Sequence, residues 1–204
     1  MHMLKHLRFV SVFMVVVLFG LAPAGVRAEA PGCENARKQV TLVAGKVRQI
    51  MARKSGRAAR MASVFRNYAN TRGMANFALG HYARMIPTRD RREYYRLANK
   101  MLVHLFTTKM GAYNNRSYKI WNCKPKGRGY AIGGAIVESN GSMVIDVHWL
   151  MMPSGRRLLV EDIAVAHIWL RQEQRNQFRR VLSRSKGNFK ALLAHMRKQV
   201  SGTK

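Results

Sequence analysis

The stretch NGSMVIDVHWLMM, residues 140–152, decides the fold class of this 204-residue chain. From Met143 to Met151 an apolar side chain recurs at every second position, which is typical of a β-strand with one strongly apolar face. An Asn-Gly pair precedes this strand closely and is the strongest short-range signal for a β-hairpin. We therefore predict that residues 130–139 form an antiparallel neighbour of this strand.

Two further strands extend the hairpin. A Pro-Ser-Gly turn at residues 153–155 leads into a predicted strand over residues 157–168. Another predicted strand, residues 117–123, ends before a Lys-Pro-Lys-Gly loop at residues 124–127. The prediction is a four-stranded antiparallel sheet in which consecutive strands are adjacent.

Helical periodicity surrounds this sheet on both sides. Apolar residues three and four positions apart mark the helices, and Gly56, Pro87 and Gly187 mark breaks between them. We predict an α+β fold in which an N-terminal helical layer packs on the sheet and C-terminal helices follow. The predicted helices carry Val40 to Met51, Met61 to Tyr68, residues 71–85, residues 88–111, and Phe178 to Met196.

The chain has a large excess of positive charge. It contains 37 Lys and Arg against 9 Asp and Glu, which gives a formal net charge of +28. Its 48% hydrophobic residues are typical of a chain that buries a core, and its length fits one domain. The expected partners are anionic: nucleic acid, a phospholipid surface or an acidic protein.

The N-terminus has the three parts of a secretory signal peptide. Lys5 and Arg8 precede an uncharged apolar run over residues 9–22, and Val26 and Ala28 are small residues spaced as at a cleavage site. An uncleaved membrane anchor is the alternative, but the run is shorter than the about 20 residues that a spanning helix needs. We predict cleavage after Ala28 and one domain over residues 29–204 in an exported compartment, where nucleic acid is not an expected partner.

The chain has two cysteines, Cys33 and Cys123. An oxidising compartment would allow them to form a disulfide across a long loop. Two separate thiols agree with the sequence equally well.

Familiar catalytic motifs are absent from the sequence. The adjacent acids Glu161 and Asp162 would point to opposite faces of one strand, which argues against a pair of catalytic carboxylates. His148 and His167 lie on strands that we predict to pair, so a metal or acid–base site with Asp146 or Asp162 is conceivable. Isolated histidines on strands are more often structural. We therefore predict no enzyme, no catalytic residue, no metal and no cofactor.

Three arginines recur on one face of a C-terminal helix. Arg171, Arg175 and Arg179 are four residues apart, a spacing at which like charges destabilise a helix slightly. The stripe is therefore either a solvated face or a docking surface for an anion.

Two stretches resemble a known family. FALGHYAR at residues 77–84 is followed by Pro87 and the long helix, and DIAV at residues 162–165 is followed by Gln174, Arg175 and Phe178. This combination is similar to the periplasmic phospholipid carriers of the Mla lipid-transport pathway, also called the toluene-tolerance family. The departures from its usual pattern are Leu158, Ala166, His167 and Trp169, where the family usually has Trp, Glu, Gly and Ser.

The resemblance implies a monomeric periplasmic carrier that holds a phospholipid by its acyl chains. Such a carrier passes lipid between an outer-membrane lipoprotein complex and an inner-membrane MCE/ABC lipid transporter. The alternatives are a carrier of another lipid such as a hopanoid, an exported basic module that binds anionic polymer, or an enzyme of lipid metabolism that uses His148 or His167.

For such a carrier we expect an acyl-chain pocket between the helices and the sheet. The sheet residues are chosen because they share one face, and those of the long helix because they share one stripe. We expect these two groups to face each other across a cavity. The pocket candidates are Leu79, Tyr82, Leu97, Met101 and Leu105 on the helical side, and Val147, Trp149, Met151, Ile163 and Val165 on the sheet.

Overall fold

The structure, a computed structural model, describes residues 32–109, 113 and 116–201. The predicted signal peptide with its cleavage after Ala28 and the predicted end of the fourth helix at Gly111 lie outside these residues. Within them the chain forms helices, then an antiparallel sheet, then helices. The elements are α1 Cys33–Met51, α2 Arg57–Tyr68, α3 Thr71–Leu79, α4 Thr88–Lys109, β1 Ser117–Lys126, β2 Gly129–Val137, β3 Met143–Ser154, β4 Arg157–Val165, β5 Ile168–Trp169, α5 Leu170–Arg184 and α6 Phe189–Ser201.

The third helix ends earlier than the sequence predicts. The Asn70 side chain caps its start by accepting a hydrogen bond from the Gly73 backbone N–H at 3.0 Å. At Gly80 the backbone turns to φ 58°, outside the right-handed helical region, and a short 3₁₀ helix, Gly80–Arg84, follows. The predicted helix over residues 71–85 is therefore two separate elements.

The sheet is antiparallel throughout, with the strand order β1-β2-β3-β4-β5. The predicted hairpin at the Asn-Gly pair is confirmed, since β2 and β3 are paired neighbours and Gly141 has φ 87° in the loop between them. The prediction of four strands was wrong. Ala166 and His167 adopt φ 48° and 63°, so the chain turns after Val165 and a fifth, short strand runs back along β4. His167 thus lies in a turn and not on a strand.

The strand register separates two faces of the sheet. Ile132, Trp149 and Ile163 form one row of paired residues, and they belong to a buried cluster shared with α1 and α2. Gly133, His148 and Ala164 form the neighbouring row and therefore lie on the opposite face. The apolar face that the sequence predicts is thus the face covered by helices.

A second buried cluster is made by helices. It joins α3, the part of α4 up to Met101, α5 and α6, with Tyr94, Leu97 and Phe178 fully or almost fully buried at its centre. The Tyr94 hydroxyl donates a hydrogen bond to the Ala75 carbonyl at 2.6 Å, so the one polar atom of this ring is satisfied inside the cluster. The two clusters divide α4 between them, because Phe106 near its end packs in the first one.

Cys33 and Cys123 form a disulfide, which decides between the alternatives that the sequence leaves open. Their Cα atoms are 5.9 Å apart, within the usual range for a disulfide. Cys123 pairs in register with Ile132, so it lies on the helix-facing side of β1, and Cys33 is the first residue of α1. The bond therefore fixes the start of α1 to the edge of the sheet.

We predict that removing this disulfide destabilises the protein without changing its fold. The two cysteines are 90 residues apart in the chain, and closing a loop of that length destabilises the unfolded state by about 4.6 kcal/mol in the chain-entropy model. The free energy of unfolding of a Cys33→Ser/Cys123→Ser variant, measured by urea titration, is expected to fall by about that amount. Reduced wild-type protein is the control. A loss below about 1 kcal/mol in both samples would contradict the prediction.

Candidate functional site

A cavity of about 250 Å³ lies between α1 and the helix-facing side of the sheet. The wall formed by α1 leaves space open, because α1 presents the small residues Ala44 and Gly45 there, next to Val47. A Cβ atom built at Gly45 would meet no other atom within 4 Å. The missing side chain at Gly45 is therefore one physical reason for the open space.

The sheet supplies an apolar floor to this cavity. Val147, Trp149, Ile163 and Val165 all line it, and they come from the two neighbouring strands β3 and β4. Hydrocarbon makes up most of this floor, so it suits an apolar ligand. Its polar atom is the buried Trp149 Nε1, which has no hydrogen-bond partner among the described residues.

Tyr118 closes one side of the floor through a specific contact. Its hydroxyl donates a hydrogen bond to the Val147 carbonyl at 3.1 Å, and its ring packs edge-on against Trp149. Gly134 lies beneath this hydroxyl, where a Cβ atom would come within 2.5 Å of it. Burial raises the pKa of the Tyr118 hydroxyl, so this group is neutral and works as a hydrogen-bond donor.

The opening of the cavity carries positive charge. Thr41 and Arg48 line the cavity and are exposed, so they mark where it meets solvent. Arg116 also lines it, and its guanidinium forms an ion pair with Glu138 at 2.8 Å. An apolar interior with an arginine at its opening fits an amphiphile that has an anionic head.

The predicted pocket residues do not all meet at this cavity. Four of the five sheet candidates line it, whereas Met151 is fully buried in the same cluster, further along the same face of β3. On the helical side, Leu105 borders a separate space of about 40 Å³. Leu79, Tyr82, Leu97 and Met101 belong to or pack against the second, helical cluster.

The helix opposite the sheet candidates is therefore α1, together with Phe106 from the second half of α4. The sequence analysis predicts the middle of α4 at this position. The two helices are hard to distinguish by sequence, because α1 and α4 both carry an apolar stripe with the period of a helix. The signal in the sequence that points to α1 is Gly45, an isolated glycine inside a helical pattern, because a residue without a side chain leaves room beside the helix.

The three arginines of α5 have different environments. The Arg171 side chain is only 18% exposed and forms ion pairs with Glu161 at 2.7 Å and Asp162 at 3.4 Å. Its guanidinium also stacks 4.0 Å from the Phe77 ring centroid. Arg175 is half-buried and lies over the same ring at 4.9 Å. Arg179 is exposed, so the stripe is continuous in sequence but not on the surface.

Glu161 and Asp162 reach the same arginine because of a register shift. The pairing of β3 with β4 shifts between Leu150 and Met151, which leaves Glu161 outside the ladder. The sequence predicts that the two carboxylates point to opposite faces of the strand and therefore lie apart. This prediction is wrong, because both carboxylates approach Arg171.

Asp162 is only 3% exposed and links β4 to the start of α5. Its Oδ1 atom accepts hydrogen bonds from the backbone N–H groups of Ile163 at 2.9 Å and Arg171 at 3.0 Å. Burial raises the pKa of this carboxyl above its usual value, while the two N–H groups and the Arg171 guanidinium act in the opposite direction. The Arg171 N–H is one of the donors that a helix start leaves unsatisfied, so Asp162 serves as a cap from a neighbouring strand.

None of the helices within the described ranges is both long enough and apolar enough to cross a membrane.

Comparison with known proteins identifies the family. The family model described as MlaC protein matches residues 35–198. The chain belongs to the MlaC family. A comparison with curated proteins finds no match. Among solved structures, the chain is similar to a phospholipid-binding protein from Ralstonia solanacearum that was determined in complex with a phospholipid. The sequence identity is 13%, the TM-score is 0.67, and the match covers 84% of this chain and 97% of the other.

Within this MlaC-family fold we predict that Arg171 and Arg179 contribute very differently to stability. Arg171→Ala leaves two largely buried carboxylates without their cation, which is expected to cost about 1.5–3 kcal/mol. Arg179→Ala removes an exposed charge and should change stability by less than about 0.5 kcal/mol. Urea denaturation of both variants checks this difference. Equal stabilities would contradict the structural role of the Arg171 ion pairs.

Proposed function

We propose that this MlaC-family chain is a periplasmic phospholipid carrier. In this proposal the acyl chains occupy the cavity between α1 and the sheet, and the phosphate lies at its opening. The observation that carries the proposal is the apolar space between Gly45 and Trp149, which reaches solvent beside Arg48. The phospholipid in the related structure from Ralstonia solanacearum supports the same class of ligand.

Burial of hydrocarbon supplies the binding energy in this proposal. Removing about 400 Å² of acyl surface from water is worth roughly 10 kcal/mol before the cost of association is subtracted. The contacts would come from Val147, Trp149, Ile163 and Val165, with Met151 packed beside them on the same face of the sheet. Leu97 and Met101 would act indirectly, by holding α4 in place.

The cavity is smaller than the roughly 300–1,000 Å³ of usual small-molecule pockets. A phospholipid with two acyl chains would therefore need α1 and the sheet to separate further than they do at about 250 Å³. On the α1 side the small residues Ala44 and Gly45 line the cavity. Separation of this wall would therefore break apolar contacts that the acyl chains replace.

The proposed transfer partners are the outer-membrane lipoprotein complex and the inner-membrane MCE/ABC transporter, with the chain acting as a monomer. The net charge of +28 for the whole sequence favours approach to anionic membrane surfaces and acidic docking patches. Of the three arginines on α5, Arg179 is the best placed for such docking, because it is exposed while Arg171 is held by Glu161 and Asp162.

We predict that Gly45→Leu weakens lipid binding. The added side chain enters the cavity, and overpacking of about 1–3 kcal/mol corresponds to binding that is weaker by roughly 5- to 150-fold. Leucine also has the higher helix propensity, so α1 should not be weakened. Native mass spectrometry of protein purified from cells measures the fraction that carries one phospholipid.

Ala59→Leu is the matched control, because it adds similar bulk at an exposed position of α2. Its lipid occupancy should equal that of the wild type. If Gly45→Leu carries as much phospholipid as this control, the lipid does not occupy the cavity. If neither the variants nor the wild type carry any lipid but all bind anionic polymer, the chain is a basic binding module.

We further predict that Arg48→Glu selectively weakens the binding of anionic lipid. Reversal of an exposed charge at the opening should reduce the affinity for phosphatidylglycerol at low salt. At about 0.5 M salt the affinities of the variant and the wild type should become more similar, because salt shortens the screening length. Arg60→Glu, on the exposed side of α2, makes the same change in net charge away from the cavity. Fluorescent-lipid displacement measures both. Equal losses in the two variants would place the headgroup elsewhere.

A further inference from the structure

Three possible metal ligands meet on the side of the sheet opposite the cavity. Asp146 and His148 lie two residues apart on β3, and His167 comes from the turn between β4 and β5. One ligand atom from each residue lies within 4.8 Å of those of the other two. The grouping joins positions 19 residues apart in the chain through the pairing of β3 with β4.

The distances within this cluster are those of a metal site. Asp146 Oδ2 lies 3.2 Å from His148 Nε2 and 3.5 Å from His167 Nδ1. Ligand atoms around a tetrahedral zinc ion are separated by about 3.3 Å when each metal–ligand bond is about 2.0 Å. Two of the three separations therefore already match, and rotation of the exposed His167 side chain would adjust the third.

The shared oxygen forms no well-aligned hydrogen bond, although it lies within ion-pair distance of both imidazoles. Asp146 Oδ2 is buried, and in the described part of the chain it accepts no hydrogen bond of acceptable geometry. A buried carboxylate oxygen in this condition is rare, since nearly all such atoms find a donor or a cation. A metal ion between the oxygen and the two imidazoles would satisfy all three atoms.

The backbone conformation that brings His167 close to Asp146 is a strained one. His167 has φ 63°, in the left-handed region where glycine is favoured, and the preceding residue, Ala166, has φ 48°. The Ala166 N–H donates a hydrogen bond to the Asp146 carbonyl at 3.2 Å, which holds the turn against β3. A strained residue that carries a potential ligand and faces another one is an indication of function.

We propose that Asp146, His148 and His167 bind a divalent transition-metal ion, and that this ion is Zn²⁺. Two imidazole nitrogens and one carboxylate oxygen suit zinc, whereas Mg²⁺ and Ca²⁺ prefer oxygen ligands alone. Water takes the fourth position, because the His167 side chain is 83% exposed and one side of the site faces solvent. The ion clamps the turn between β4 and β5 to β3, and with it the start of α5.

The proposal is tested by titrating tag-free, EDTA-dialysed protein with Zn²⁺ in a calorimeter. One zinc ion per chain is expected, and His148→Gln and Asp146→Asn should each weaken binding at least about tenfold. His81→Gln is the matched control, because it removes an exposed histidine elsewhere in the chain and should leave the affinity unchanged. Titration with Co²⁺ should give the intense visible absorption of a tetrahedral site in the wild type and in His81→Gln only.

A second variant separates loss of the site from loss of the fold. His167→Gly relieves the left-handed strain, so without zinc it should melt at the same temperature as the wild type or higher. Added zinc should raise the melting temperature of the wild type but not that of this variant. If His167→Gly binds zinc like the wild type, or if the wild type binds none at 100 µM, the proposal is overturned.

Discussion

The structure depends on covering the apolar face of β3. Val147, Trp149 and Met151 alternate along this strand and become almost fully buried on one side of the sheet. Water cannot remain in contact with such a face, so helices must lie on it. α1 does so, and the disulfide between Cys33 and Cys123 fixes where its first turn meets the edge of the sheet.

A second constraint acts where the sheet passes into the C-terminal helices. The register shift in β4 brings Glu161 and Asp162 to one guanidinium, that of Arg171. Glu161 also accepts a hydrogen bond from the Asn70 side chain at 2.8 Å, so the junction of α2 with α3 joins the same network. A single arginine thus joins α5 to α3 and β4, where the helical cluster meets the sheet.

Much of this architecture follows from local sequence signals. The period of two around Trp149 and the Asn-Gly pair gave the correct central hairpin, and the period of 3.6 gave helices before and after the sheet. The fifth strand could not be predicted in the same way. Its turn consists of Ala166 and His167, residues that rarely adopt positive φ, and their conformation is imposed by contacts with β3 that only the folded chain makes.

The candidate site was predictable on one wall only. The period of two along β3 and β4 places one set of side chains on the same face of the sheet, whichever helix covers that face: Val147, Trp149, Ile163 and Val165. The floor of the cavity can therefore be predicted from the sequence. The opposite wall depends on which of several amphipathic helices packs there, and α1 and α4 both carry an apolar stripe. The choice is a matter of long-range contacts, and the disulfide is the contact that favours α1. The role of Arg171 also depends on long-range contacts, because a regular stripe of arginines does not reveal which of them lies beside a buried carboxylate.

The position of the disulfide also restricts how the proposed lipid site can open. Cys33 begins α1, whereas the cavity borders its second half, from Thr41 to Met51. The start of the helix cannot leave β1 while the bond is intact, so any separation of α1 from the sheet would be a swing of its far end. That end is followed by residues 52–56, where Gly56 has φ 69° and the chain has few buried contacts. Arg48 lies in the moving half, so the charge at the opening would travel with the wall and remain beside a headgroup as the acyl chains enter.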